Sequence, residues 1–284
     1  KNKNLKLIKG DIRDIDLLNR IIPGHDAVLH LACISNDPSF ELNPKLGKSI
    51  NFDAFEPLVS ISKKNKVNKF IYASSSSVYG IKKEKNVTED MSLEPLTDYS
   101  KFKADCEKVL NSYKSDDFIT TTIRPSTVCG FAKRQRLDLV VNILTNHAFH
   151  KKEIKVFGGD QLRPNIHIDD MVESYISILN APNKKINGEI FNVGFKNQTV
   201  FELAENVQEV MDNEVKITKL KSNDNRSYHV SSEKIKDVLG FEPKKTVKDA
   251  VIDLKEAFEK KLLPNSFEDE KYFNIKRMQN INLT

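Results

Sequence analysis

The sequence predicts an α/β fold: a doubly wound parallel sheet with a smaller mixed α/β domain attached. Three observations carry this. Short continuous apolar runs such as DAVLHLA (26–32) and KFIYAS (69–74) alternate with longer amphipathic stretches. Strands buried on both faces read as unbroken apolar runs, and strand–helix alternation reads as βαβ units. The composition, 39% hydrophobic and 30% charged over 284 residues, is that of a globular chain and excludes disordered and fibrous architectures.

In chain order, Leu5 to Lys9 reads as a strand and about Asp14 to Ile22 as a helix. Asp26 to Ala32 is an apolar strand, about Pro44 to Lys64 a long helix, and Lys69 to Ser74 the next strand. A helix follows over about Tyr99 to Tyr113, then the β-branched strand FITTTIR, Phe118 to Arg124. The second half is more mixed. Helices are expected near Leu137–Phe149, Asp169–Asn180, Val200–Met211 and Thr246–Lys260, with short strands near Lys155–Phe157, Glu189–Val193 and Val215–Leu220. From Pro264 the chain is polar without a clear period and reads as an irregular closing segment.

Composition also narrows the function classes. No apolar run approaches the roughly 20 residues that cross a bilayer, and no signal-peptide pattern opens the chain. The three cysteines, Cys33, Cys106 and Cys129, form no CxxC pair, so neither a disulfide framework nor a structural zinc site is expected, and a reducing cytoplasm is the implied compartment. The net charge of +5 comes mostly from lysines scattered on helix faces. A nucleic-acid protein would show a basic stripe with interleaved aromatics, which is missing here. A local positive pocket for a phosphorylated small molecule fits this charge pattern.

Doubly wound sheets bind ligands beyond the carboxyl ends of their strands, so the loops after Ala32, Ser74 and Arg124 are where chemistry is expected. The strand ending IYAS runs into Ser74-Ser75-Ser76-Ser77-Val78-Tyr79-Gly80, and the next helix opens with Tyr99-Ser100-Lys101-Phe102-Lys103. Residues four apart on a helix share a face. An ammonium beside a phenol stabilises the phenolate and lowers its pKa, and a phenol so tuned can act as a general base. The spacing alone also describes an exposed helix pair. Its position after a hydroxyl cluster on a βαβ background selects the chemical reading. His30, inside a buried strand, and His167, in the alternating stretch NIHID, read as structural histidines; Asp169 and Asp170 read as the start of a helix, and no metal is expected.

This combination resembles the extended short-chain dehydrogenase/reductases of the nucleotide-sugar epimerase/dehydratase family, which have a Rossmann-like fold. Gly10-Asp11-Ile12-Arg13-Asp14 is similar to the family's GDxxD turn, and His30-Leu31-Ala32-Cys33 to its HLAA element. Asn51 matches the Asn of the following helix, SSSSVYG the Ser/Thr element, and Arg124-Pro125 the RP strand end. The resemblance implies catalytic Ser75, Tyr99 and Lys103, and a dinucleotide held by Asp11, Ile12, Leu31, Ala32, Cys33, Asn51, Ser74, Tyr99, Lys103 and Pro125. Later segments extend it: LVVN (139–142), FGGDQLRPNIHIDD (157–170), NRSY (225–228) and KIKDVLGFEP (234–243). These imply substrate contacts from Asn142, Arg163 and Arg226, with Ser76 and Ser126 beside them; Ser126 stands where the family's usual Asn is absent. Two arginines suit a diphosphate because a guanidinium matches its oxygens bidentately.

The resemblance places a dinucleotide-binding unit in 1–136, with parts of about 165–195 returning to it, and mainly nucleotide-sugar binding in 137–284. The basic loop GFAKRQR (130–136) marks the boundary. The implied cofactor is NAD, with NADP as the alternative, and the implied substrate a nucleotide-diphosphate sugar. The implied reaction is 4-epimerisation through a transient 4-keto sugar; a 4-keto-sugar reductase and a non-catalytic dinucleotide-binding protein are the alternatives. Family 4,6-dehydratases carry Asp-Glu where Ser76 and Ser77 stand, which disfavours dehydration. A homodimer built on the helices at about 44–64 and 99–113 is implied as well. No GxxGxxG or GxGxxG occurs, and the residues begin at what would be the family's third strand. The expectation is that an N-terminal stretch of a longer protein precedes them, and that without it the third strand is unpaired.

Overall fold

The computed structural model describes residues 3–84, 86–221 and 229–281. Its centre is a parallel sheet of order β1–β2–β3–β7, formed by β1 (Ala27–His30), β2 (Lys69–Ala73), β3 (Ile119–Pro125) and β7 (Glu189–Val193). Ala27 stands opposite Lys69, Lys69 opposite Ile119, and Thr121 opposite Glu189, so the carboxyl ends share one edge.

Side chains of these strands alternate between two cores, as the period of two requires. Phe70 and Tyr72 pack with α1 (Ile15–Ile21), α4 (Phe55–Lys64) and α5 (Asp98–Ser112). Ile71, Ile123, Phe191 and Val193 pack with α7 (Ile168–Asn180), α8 (Asn183–Ile186) and α10 (Glu233–Leu239) on the other face. Such double coverage is what makes the apolar runs continuous. Between β1 and α4 lie two short helices, α2 (Asp37–Glu41) and α3 (Pro44–Lys48).

The second half adds a sheet of β4 (Thr127–Cys129), β6 (Leu162–His167) and β8 (Lys196–Thr199), and a parallel pair of β5 (Glu153–Phe157) and β9 (Lys216–Leu220). A further core joins the β5 face to α6 (Val140–Lys151), α9 (Val200–Val210) and α11 (Val247–Glu259). The last helix, α12 (Asn274–Ile281), comes back across the chain to lie against α2.

Three expectations need correction. Residues 5–9 form no strand: Leu7 is 92% exposed, and no strand among the described residues flanks β1 on its outer side to pair with them. The single helix expected over 44–64 is instead α3, a π-helical turn over Ser49–Asp53, and α4. The wide turn rotates Asn51 inward, where its side chain clamps the chain after β1. Such π-turns often sit beside functional sites. The closing segment is not irregular throughout, because α12 forms within it; its Asn274 N–H donates to Asp138 Oδ2 at 2.9 Å. Packing of this kind stabilises short helices that sequence periodicity alone does not reveal.

Candidate active site

The carboxyl end of β2 runs into Ser75, whose extended backbone and Oγ cap the short helix Ser76–Tyr79 by accepting the Ser77 N–H at 3.1 Å. Gly80 closes that turn at φ +68°, and a Cβ there would lie 2.0 Å from the Glu94 carbonyl oxygen, so only glycine fits. Across the mouth of the sheet, Thr97 and Ser100 form a capping box that starts α5. Thr97 also donates its hydroxyl to Asp37 Oδ1 at 2.5 Å, tying α5 to α2.

Tyr99 and Lys103 follow on one face of α5. Buried Lys103 donates its Nζ to the Ala73 carbonyl at 2.6 Å and lies 4.9 Å from the Tyr72 ring centroid and 5.8 Å from that of Tyr99. The ammonium therefore anchors α5 to the end of β2. Burial pushes the Tyr99 phenol up, and Cys33 and Asp37 push it further; the charge of Arg136 and a hydrogen bond with Ser75 oppose them. The sequence reading has Lys103 lowering this phenol. Here desolvation prevails and Lys103 is spent on a carbonyl.

Behind this face lies a buried polar network. The Ser74 hydroxyl donates to Glu107, and Arg124 donates Nε and Nη2 to the same carboxylate at 3.1 and 2.7 Å. Arg124 Nη1 donates to the Tyr79 hydroxyl at 2.7 Å, which donates to Asn192 Oδ1 at 2.7 Å. The network joins the ends of β2, β3 and β7 to α5. Sequence reasoning missed Glu107, Tyr79 and Asn192, because their partners lie far away along the chain.

Other expected residues divide into those that line the mouth and those that build it. Leu31, Ala32 and Cys33, beyond the end of β1, line a cavity of about 330 Å³ with Ile34, Arg134 and Met278. Asn51 accepts the Ile34 N–H at 2.8 Å and donates to the Ile34 carbonyl at 2.9 Å, so its amide shapes the chain after β1. Asp11 is exposed and bound by Arg13, whose hydrogen bonds hold its carboxyl below the usual range; Ile12 packs on the α1 core. Pro125 ends β3, and Ser126 Oγ is buried with no hydrogen-bond partner among the described residues. Ser76 is buried in its short helix. Asn142 spans the loop 130–136, accepting the Gly130 N–H at 3.1 Å and donating to the Arg136 carbonyl at 2.8 Å. Arg163, on β6, donates to the Leu162 carbonyl at 2.9 Å. Arg226 lies outside the described residues.

The histidines are placed as expected. His30 stacks on Tyr72 at 5.8 Å, and burial, helped by the charge of Lys103, pulls its pKa down to about 3. His167 accepts the Asp169 N–H at Nδ1, which leaves Nε2 to donate to Asp253 at 3.0 Å. His167, Asp169 and Asp253 are spaced for an ion, but both ring nitrogens are used and Lys245 pairs with both acids.

Together, a phenol, an ammonium and a hydroxyl at the carboxyl edge of a doubly wound sheet, beside a cavity lined by three of the expected dinucleotide residues, fit the nicotinamide and ribose end of such a cofactor. Its diphosphate meets no Gly-rich turn among the described residues. Comparison with known proteins agrees with this geometry. The model of the NAD dependent epimerase/dehydratase family matches residues 1–194. An uncharacterised UDP-glucose epimerase of Bacillus subtilis is 32% identical over 197 residues, 68% of this chain and 60% of that protein. This chain thus spans less than two thirds of that relative's length. The UDP-glucose 4-epimerase of Thermotoga maritima, solved with UDP-glucose, superposes with a TM-score of 0.81 at 25% identity, covering 92% of this chain and 87% of the other. The UDP-glucuronic acid 4-epimerase of Bacillus cereus, solved with UDP-glucuronic acid and NAD, gives 0.80 at 25% identity, covering 91% and 83%. Motifs, sheet order and comparisons converge: the chain belongs to the NAD-dependent epimerase/dehydratase family, whose relatives here are nucleotide-sugar enzymes with a Rossmann fold.

Proposed function

We propose that the protein is a nucleotide-sugar 4-epimerase acting through a transient 4-keto sugar. The observation that carries the reading is the Ser75, Tyr99 and Lys103 set, held one helical turn apart on α5 and across from the Ser75 cap. When bound, NAD would supply the hydride acceptor and donor for the sugar carbon.

Tyr99 holds the proton of the sugar C4 hydroxyl, removing it as the carbonyl forms and giving it back after the sugar turns over. Ser75 orients that hydroxyl. Lys103 positions the phenol by fixing the start of α5 to β2. Ser76 and Ser126 line the sugar, and Arg163 and Arg226 take the diphosphate. Leu31, Ala32, Cys33 and Pro125 contact the dinucleotide, with Asp11 and Ile12 toward its adenosine. Asn51, Ser74 and Asn142 act through the backbone turns that they shape. In this reading 1–136 is the dinucleotide unit, 137–284 is mainly the sugar-nucleotide unit, and the soluble dimer packs along α4 and α5 in the cytoplasm.

Ser76 and Ser77 offer no carboxyl pair for water loss, which supports epimerisation over dehydration. The test is a panel of nucleotide sugars incubated with the protein and NAD, with products read by NMR. The expected result is a C4-inverted sugar with no net reduced cofactor. Consumption of one NADH per turnover of a 4-keto sugar would instead establish a reductase. Cofactor binding with no sugar turned over would leave a non-catalytic binding protein.

A further inference from the structure

The cavity beyond the end of β1 is shared by three parts of the chain that meet only in the fold. The stretch from Leu31 to Ser35 and Ser39 of α2 line it, together with Arg134 of the basic loop and Arg277 and Met278 of α12. Met278 packs on the apolar cluster of Ile34, Phe40 and Leu46 that Tyr99 also joins, so α12 reaches the mouth of the site. The cavity is strongly one-sided in charge: two guanidiniums line it and no acidic side chain does. Arg134 spends Nη2 on the neutral Asn274 Oδ1 at 2.9 Å and has no acidic partner within salt-bridge reach among the described residues. Arg277 gives a single nitrogen, Nη1, to Glu270 at 2.7 Å. Between them the hydroxyl of Ser39, a residue 0% exposed, is buried with no hydrogen-bond partner among the described residues. A buried donor without an acceptor calls for one. Guanidinium N–H groups match phosphate oxygens bidentately, and like charges gathered around one acid-free cavity repel until an anion joins them.

We propose that Arg134, Arg277 and the Ser39 hydroxyl bind a diphosphate in this cavity, and that the bound ligand fastens α12 over it. The inference rests on the reading that sets the dinucleotide against Leu31, Ala32 and Cys33. Because those residues line the same cavity, the dinucleotide's diphosphate is the favoured source; a nucleotide sugar offers the same chemistry. One of the two guanidiniums belongs to α12, and the other is bonded to it through Asn274. The ligand therefore binds the docked helix better than the undocked one, and a ligand that prefers one state stabilises that state.

Two measurements on the full chain test this, with NAD and UDP-glucose as separate probes. In hydrogen exchange, the amides of α12 should slow when NAD is added to the unchanged protein, by about 100-fold with NAD at 100 times its Kd if they exchange through undocking. In calorimetry, Arg134→Met and Arg277→Met should each weaken NAD between about 10- and 100-fold, the range of a hydrogen bond to a charged group, with UDP-glucose unaltered. Arg277→Lys, which keeps the charge but not the fork, should recover part of that loss. The same pattern with UDP-glucose in place of NAD would support the clamp and assign it to the nucleotide sugar's diphosphate. Unaltered α12 exchange with either probe would overturn the proposal without any variant, as would variants that keep both affinities. Variants that speed α12 exchange in the free protein and weaken both probes equally would make the two arginines merely structural and overturn it too. Failure of the unchanged protein to bind NAD or UDP-glucose at all would instead overturn the dinucleotide and nucleotide-sugar reading, and the clamp with it.

Discussion

Tyr99 is subject to two opposed demands. Burial holds its proton on, whereas a base must release it, and the groups that favour release are Ser75 and Arg136. Replacing the phenol by a benzene ring removes the proton carrier and little else. Tyr99→Phe should therefore lower turnover by about 100-fold or more, the range of a general base, while NAD titration gives an unaltered affinity; activity retained would remove Tyr99 from the mechanism. His30 allows a second prediction, in stability. Its folded pKa of about 3 lies below the usual 6.5, so the unfolded chain binds the proton first. The stability His30 contributes by staying neutral is full above pH 6.5 and is lost as pH falls from there toward 3. Between pH 7 and 5 that loss is about 2 kcal/mol. His30→Phe, which keeps a ring against Tyr72, should flatten the urea-midpoint profile in this window; an unaltered slope would assign the acid sensitivity elsewhere. Tyr99, Lys103 and His30 were legible in the sequence because spacing and apolar context are local. The roles of Asn51 and Asn142 were not, because each amide is spent on backbone that only the folded chain brings near.

At the scale of elements, the sheet edge and α5 are held together by the buried Glu107–Arg124 pair, with side chains only 5% and 3% exposed. Removing one partner strands the other charge in a dry interior, which typically costs about 3–5 kcal/mol. Glu107→Ala should fall in that range by chemical denaturation. Pairing it with Arg124→Leu should cost clearly less than the two single changes added, since the second change removes the stranded charge; simple additivity would show that the pair is not coupled. The apolar strands and the well-capped helices, such as α5, α9 and α11, follow closely from the sequence, since their signals lie within a few residues. Residues 5–9 do not, because an alternating pattern makes a strand only when a neighbour supplies the ladder. The break of 44–64 into three pieces escaped periodicity because a π-turn inserts a residue without changing composition.

At the scale of the whole molecule, the two halves are joined at the mouth of the sheet by α12. Asn274, 8% exposed, accepts from Arg134 Nη2 at 2.9 Å, donates to Ser35 Oγ at 2.9 Å, and takes Asp138 onto its backbone N–H. One side chain thus links the last helix to the loop after β1 and to the basic loop, neighbours that lie 239 and 140 residues away in sequence. Asn274→Ala removes the partner of the exposed Arg134 Nη2 and one partner of the half-buried Ser35 hydroxyl while its backbone N–H stays on Asp138, at a cost of about 0.5–1.5 kcal/mol per hydrogen bond lost. That cost should fall on the docking of α12 and not on the sheet, whose core of Phe70, Ile71, Ile123 and Phe191 has no part in it. Proteins open in cooperative units of unequal stability. Native-state hydrogen exchange should therefore show faster exchange for the Leu137 amide, which donates to the Tyr272 carbonyl, and for the amides of α12, while those of β2 and β3 keep their protection. If sheet and α12 amides gained exchange together, the closing helix would belong to one global unit, and the mouth of the site would open only when the whole fold does.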